Sequence, residues 1–110
     1  MYSYLKGVIM LIGTILTVSS SHITKEDDEK LWGSHYGVTA APLSASYEGG
    51  HLLYAESIEE LGETLEGMEK EGYSEAFIEL YKYAVQDLGV SMLRIDRDGD
   101  EISHLNVFDW

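Results

Sequence analysis

Residues 56–89 read ESIEELGETLEGMEKEGYSEAFIELYKYAVQDLG, and the spacing of apolar residues in this stretch decides the fold. Ser57 with Glu60 three positions later is a capping-box pattern, and Ile58, Leu61, Leu65 and Met68 recur at spacings of three and four. This predicts a helix running to about Glu71 and stopped by Gly72, with one narrow apolar stripe. Glu59, Glu63 and Glu66 project opposite the stripe, together with Lys70. Gly62 and Gly67 each cost about 1 kcal/mol relative to alanine, so packing has to hold this helix. A second helix follows, with Ser74 as its cap and Gly89 as its stop. Tyr73, Phe77, Leu80, Tyr81, Ala84 and Leu88 give it an apolar face wide enough to lie across a sheet, and Glu75, Glu79, Lys82 and Gln86 face outward.

Downstream the period changes from helical to alternating. Met92, Arg94 and Asp96 alternate with Leu93 and Ile95, Asp98-Gly99 marks a hairpin turn, and Glu101 to Leu105 is the expected return strand. Upstream, Tyr36 to Tyr47 reads as extended and broken near Pro42, followed by a turn at Glu48-Gly49-Gly50 and a strand from His51 to Ala55. The two glycines suit the positive φ of a tight hairpin. Thr24 caps a further helix with Glu26, Asp27 and Asp28 in its first turn, where the helix dipole favours negative charge, and Gly33 ends it. Leu31 and Trp32 are expected at its buried end. Ile15 to Val18 suits a central strand covered on both faces. The expectation is one α+β domain over residues 1–110, a mostly antiparallel sheet with helices packed on one face, in the order β-α-β-β-α-α-β-β.

Composition sets limits on class. With 110 residues, 45% hydrophobic content and a single proline, Pro42, the chain supports one core and is not a disordered acidic tail. The absence of cysteine excludes disulfides, a thiolate nucleophile and sulfur-ligated zinc. That fits the cytoplasm. Met1 to Ser20 has the ingredients of a secretory signal, since Lys6 precedes the apolar run Val8 to Leu16 and Val18 and Ser20 are spaced for cleavage. Gly13 and Thr14 interrupt the run, and it is too short to span a bilayer as a helix. The strand reading is therefore preferred, with a cytoplasmic protein free of membrane contact expected and secretion as the alternative.

Charge sets limits on partners. Twenty acidic residues against seven basic ones give a formal net charge of -13, and nine glutamates lie between Glu56 and Glu79 with only Lys70 to offset them. Such a surface lacks the cations that displace phosphate counterions, so direct nucleic-acid binding is not expected despite eight tyrosines. It attracts basic protein surfaces instead. Glu59, Glu63, Glu66, Glu75 and Glu79 are the candidate partner-binding residues.

No catalytic signature accompanies them, and no cofactor is expected. Asp96, Asp98 and Asp100 alternate like the first ligands of a calcium loop, but Glu101 stands where the glycine is needed and Val107 where the bidentate glutamate is needed. They remain weak metal candidates. His22, His35, His51 and His104 share no ligand spacing, and a capping or surface role is expected of His22. Ser19 to Ser21 beside His22 lack the motif of a serine nucleophile, and Gly49-Gly50 precedes a strand and not a helix, so it is no phosphate loop.

The segment Ile15 to Thr24, ILTVSSSHIT, followed by acids and Leu31, resembles the opening of a family of small uncharacterised proteins of bacteria, plasmids and phages. Leu93 to Gly99, Leu105 and the closing Phe108-Asp109-Trp110 resemble its ending, and Tyr47 to Tyr54 resembles its hairpin. The stretch before Ile9 and the pair Gly49-Gly50 depart from the pattern. The resemblance implies one small α+β domain of mobile-element ancestry and supplies no catalytic residue. Joined to the charge, it leads to the expectation of a non-enzymatic acidic protein that occupies a basic surface of a host nucleic-acid-binding complex, as an inhibitor of CRISPR or restriction systems. The alternative is a divalent-cation-binding or hydrolytic protein using Asp96, Asp98 and Asp100, and the plainest reading is a soluble domain with a solvated acidic surface. A homodimer is left open.

Overall fold

The computed structural model describes residues 14–33 and 41–110. The leader-like segment up to residue 13, His35 and the expected extended stretch between Tyr36 and residue 40 lie outside them. The order is β1 (Ile15–Ser19), a 3-10 turn (Ser20–His22), α1 (Lys25–Gly33), β2 (Leu43–Tyr47), β3 (Gly50–Tyr54), α2 (Ile58–Lys70), α3 (Glu75–Lys82) continuing into a π turn (Tyr83–Asp87), and β4 (Met92–Asp96). The class is α+β, with helices and strands in the expected order through Met92–Asp96.

The four strands form one sheet in the order β1-β4-β3-β2. β2 pairs antiparallel with β3, and β3 antiparallel with β4. β1 pairs parallel with β4, setting Leu16 against Leu93 and Val18 against Ile95. The register puts Val18, Leu53, Leu93, Ile95 and His51 on one face, where all five are buried. The same face carries Leu31 of α1, Leu61 and Met68 of α2, and Phe77, Leu80 and Tyr81 of α3 in one apolar core. Ile15 and Tyr54 point the other way and are exposed. Alternation of side chains along each strand thus produces a sheet covered on one face.

Several expectations change. The parallel pairing places β1 at a sheet edge instead of the centre, because the chain leaves β1 and returns as β4 beside it. Both edges of β4 are then occupied, by β1 and β3, so the expected return strand from Glu101 to Leu105 has no neighbour and forms turns instead. Only Asp100 keeps a bridge, to Val18. Gly99 permits that crossing, since a Cβ there would lie 2.4 Å from the Val18 carbonyl. Gly50 works in the same way and not through positive φ: its Cβ would lie 1.9 Å from the Ile95 carbonyl oxygen.

Helix ends explain the rest. Ser74 caps α3, its Oγ accepting from the Phe77 amide at 3.1 Å. Ser57 makes no such bond, so the expected capping box is absent; the Glu60 carboxyl turns to Glu56 instead. Ile58 is exposed and leaves the stripe to Leu61, Leu65 and Met68, and Leu88 is exposed beyond the π turn. Trp32, expected buried, is 44% exposed beside fully buried Leu31.

Asp27 joins two of these helix ends. Thr24 and Asp27 bond reciprocally, the Thr24 amide donating to Asp27 Oδ2 at 3.0 Å and the Asp27 amide donating to Thr24 Oγ1 at 3.1 Å. The Ser74 amide donates to Asp27 Oδ1 at 2.8 Å and the Ser74 hydroxyl to Oδ2 at 2.5 Å. One buried carboxylate therefore serves the N-termini of α1 and α3, where unpaired amides and the helix dipole favour an anion.

Candidate functional site

All five candidate glutamates are exposed. Glu59, Glu63 and Glu66 lie along α2, Glu75 and Glu79 on α3, and none of the five carboxylates makes a side-chain hydrogen bond or ion pair among the described residues. Their neighbourhood is strongly negative: Glu56 is held above the usual carboxylate range, first by its hydrogen bond to Glu60, then by burial and by repulsion from that carboxylate. Glu79 also borders a cavity of about 260 Å³ with Lys82, Tyr83 and His104, so it opens toward the C-terminal tail. No bond links the α2 set to the α3 set among the described residues.

Asp96, Asp98 and Asp100 are not brought to a common point. Asp96 accepts from the Tyr47 hydroxyl at 2.6 Å and from the Asp98 amide at 2.8 Å, and these bonds hold its carboxyl below the ordinary range. Tyr47 is correspondingly pushed up to about 12, by burial first and then by the bond to Asp96. Among the described residues no group of three histidines or carboxylates could hold a metal ion.

Among the described residues two histidines are buried, which residue spacing did not reveal. His22, expected to take a capping or surface role, is 1% exposed. The Ile102 amide donates to its Nε2 at 2.7 Å, so the proton sits on Nδ1, which donates to the Asn106 carbonyl at 2.7 Å. The ring thereby fastens the tail after Gly99 to the body of the fold. His51 sits in a Ser46–His51–Asp28 chain, with Nδ1 2.7 Å from Ser46 Oγ and Nε2 2.7 Å from Asp28 Oδ1. The Asp28 carboxylate only accepts, so Nε2 carries the proton. The signal for this chain lies in register, since the hairpin sets Ser46 directly opposite His51. The chemistry of a serine hydrolase does not follow: the ring is 1% exposed and has no path to a substrate carbonyl.

Asp28 also faces outward, into a cavity of about 150 Å³ lined by Trp32, Glu48, Gly49, Gly50, Arg97 and Trp110. A larger cavity of about 640 Å³ lies beside it, between the serines 19–21 and the tail residues Phe108 to Trp110. The two share Ser20, Arg97 and Trp110. The Trp110 indole N–H donates to the Ile23 carbonyl at 2.9 Å and the Phe108 amide to the Ser21 carbonyl at 2.7 Å, which fixes the tail as a wall.

The model of a family of unknown function, the DUF5983 C-terminal domain, matches residues 15–110. The chain belongs to this family. The matched range starts at the first residue of β1 and takes in the tail held by His22, so the DUF5983 unit includes both the parallel edge strand and the closing Phe108-Asp109-Trp110. Its match also makes Ile15 to Ser20 part of the folded domain. No curated protein and no solved structure matches the chain. No helix among the described residues of this DUF5983 domain is long and apolar enough to cross a membrane.

Proposed function

We propose that this DUF5983 domain is a non-enzymatic binding protein whose acidic helices α2 and α3 dock on a basic protein surface. The observation that carries the reading is the exposure of Glu59, Glu63, Glu66, Glu75 and Glu79 without internal partners among the described residues. Carboxylates left free in the fold keep their full attraction for an incoming lysine or arginine and steer its approach. Charge density limits how the partner is met. α2 carries five glutamates and one lysine over thirteen residues, a net charge about every 5 Å of axis, whereas duplex DNA carries one about every 1.7 Å. A lone helix does not imitate a duplex, and the basic surface must be met by both helices or by more of the molecule. A basic, nucleic-acid-binding complex of a cytoplasmic host defence system, of the CRISPR or restriction kind, is the partner this proposal favours.

The test is retention of basic proteins from a host lysate at low and at high salt, using the chain and its E59K/E63K/E66K variant. Retention at low salt that disappears in the variant supports the proposal. Equal retention by both, or none at low salt, overturns it.

A further inference from the structure

We propose that the cleft between Trp32 and Trp110 takes up a single lysine or arginine side chain of a protein partner. The cavity of about 150 Å³ is smaller than the usual small-molecule site and suits one side chain. Both tryptophans that line it are about half exposed, at 44% and 50%. Two large aromatic surfaces left open beside one cavity are the residue type that anchors protein interfaces.

The walls are fixed before any ligand arrives. Trp110 is held by its N–H bond to Ile23. Trp32 packs edge-on against His51, with ring centroids 5.5 Å apart, and His51 is itself held by Ser46 and Asp28. A preformed cleft loses little entropy on binding.

Charge chooses the occupant. Among the described residues that line the cavity, Asp28 and Glu48 carry negative charge against one cation, Arg97. An anion would meet two carboxylates, and an apolar side chain would strip water from them without replacing its hydrogen bonds. A cation satisfies the carboxylates, and an indole ring whose face it meets attracts it as well. The adjoining cavity of about 640 Å³ gives the rest of the partner's chain room to continue past Arg97. The cleft uses no residue of α2 or α3 and shares with the reading above only the sign of the partner's charge.

The sequence contains just two tryptophans, both in this cleft, so intrinsic tryptophan fluorescence of the full chain reports on it directly. Titration with N-acetylated tri-arginine and tri-lysine amides is expected to give a saturable change, and the N-acetylated tri-citrulline amide, which carries no charge, none. Glu48→Gln, at an exposed turn residue, is expected to weaken binding about tenfold, and Trp32→Ala, followed by calorimetry, by a similar factor. E59K/E63K/E66K is expected to bind the peptides within about twofold of the parent. Absence of a saturable change, equal binding of the citrulline peptide, or parental affinity in Glu48→Gln overturns the proposal. Loss of peptide binding in E59K/E63K/E66K with none in Glu48→Gln also overturns it, and leaves the helix reading standing.

Discussion

Asp27 and Glu63 are both carboxylates on helices of the same acidic chain, yet one is 1% exposed and serves the amides of two helix N-termini while the other stands in solvent. Burial makes Asp27 part of the fold's hydrogen-bond inventory, where removal takes the acceptor from partly buried donors. Exposure leaves Glu63 free of that inventory and open to a partner. The comparison teaches that the acid content divides into a few structural groups and many solvated ones, and that stability and binding should separate by mutation.

Asp27→Ala is the hardest blow to the structural side. It takes the acceptor from the partly buried amides of Thr24 and Ser74, and the expected cost is about 3 kcal/mol in urea denaturation, with Asp27→Asn costing less because one acceptor survives. A cost under about 1 kcal/mol would mean that the two helices do not depend on this carboxylate.

His22→Phe should come next, at about 2 kcal/mol. The phenyl ring fills the site but offers nothing to the Ile102 amide or the Asn106 carbonyl, so the tail loosens while the sheet persists. Hydrogen exchange at Ile102 is expected to accelerate well beyond that at Leu93 in the core strand. Equal acceleration at both would show that His22 supports the whole core and not the tail.

Tyr81 extends the structural side to alkaline pH. Its hydroxyl donates to the Tyr54 carbonyl and accepts from the Glu56 amide, both at 2.9 Å, and burial pushes it up to about 12 from the ordinary 10.0. The folded form keeps the proton that the unfolded form releases, so this contribution is intact below pH 10 and declines as pH rises toward 12. The loss should reach about 2 kcal/mol, and Tyr81→Phe, about 1 kcal/mol less stable at neutral pH, should show a shallower alkaline decline in melting temperature. Parallel declines in the two proteins would remove Tyr81 as the cause.

How much of this division could be read from the sequence depends on range. The stripe Leu61, Leu65, Met68 and the outward set Glu59, Glu63, Glu66 follow from helical periodicity, and the caps Thr24 and Ser74 from local chemistry; all appear in the structure. Asp27 was legible only as a first-turn acid, because its second helix lies 47 residues away. His22 and the lost return strand share one cause: the parallel pairing of β1 with β4 is a long-range event that fills the edge a hairpin would need and leaves the tail to be held by a ring. The Trp32–Trp110 cleft was hidden for the same reason. Apolar spacing marks Trp32 as core, and only the packing of α1 and the tail shows it and Trp110 open beside one cavity.

The smallest expected effect on stability is the sharpest test of the solvated side. E59K/E63K/E66K takes the formal net charge from -13 to -7, which relieves self-repulsion across the molecule. Against this, positive charge at position 59 opposes the dipole at the N-terminal end of α2, and at 66 it sets a like charge one helical turn from Lys70. Each term is a few tenths of a kcal/mol, so the sum should stay within about 0.5 kcal/mol of the parent. Retention by a basic partner should nevertheless vanish. A variant that keeps its urea midpoint and loses the partner places those glutamates in recognition; one that unfolds would put them with Asp27.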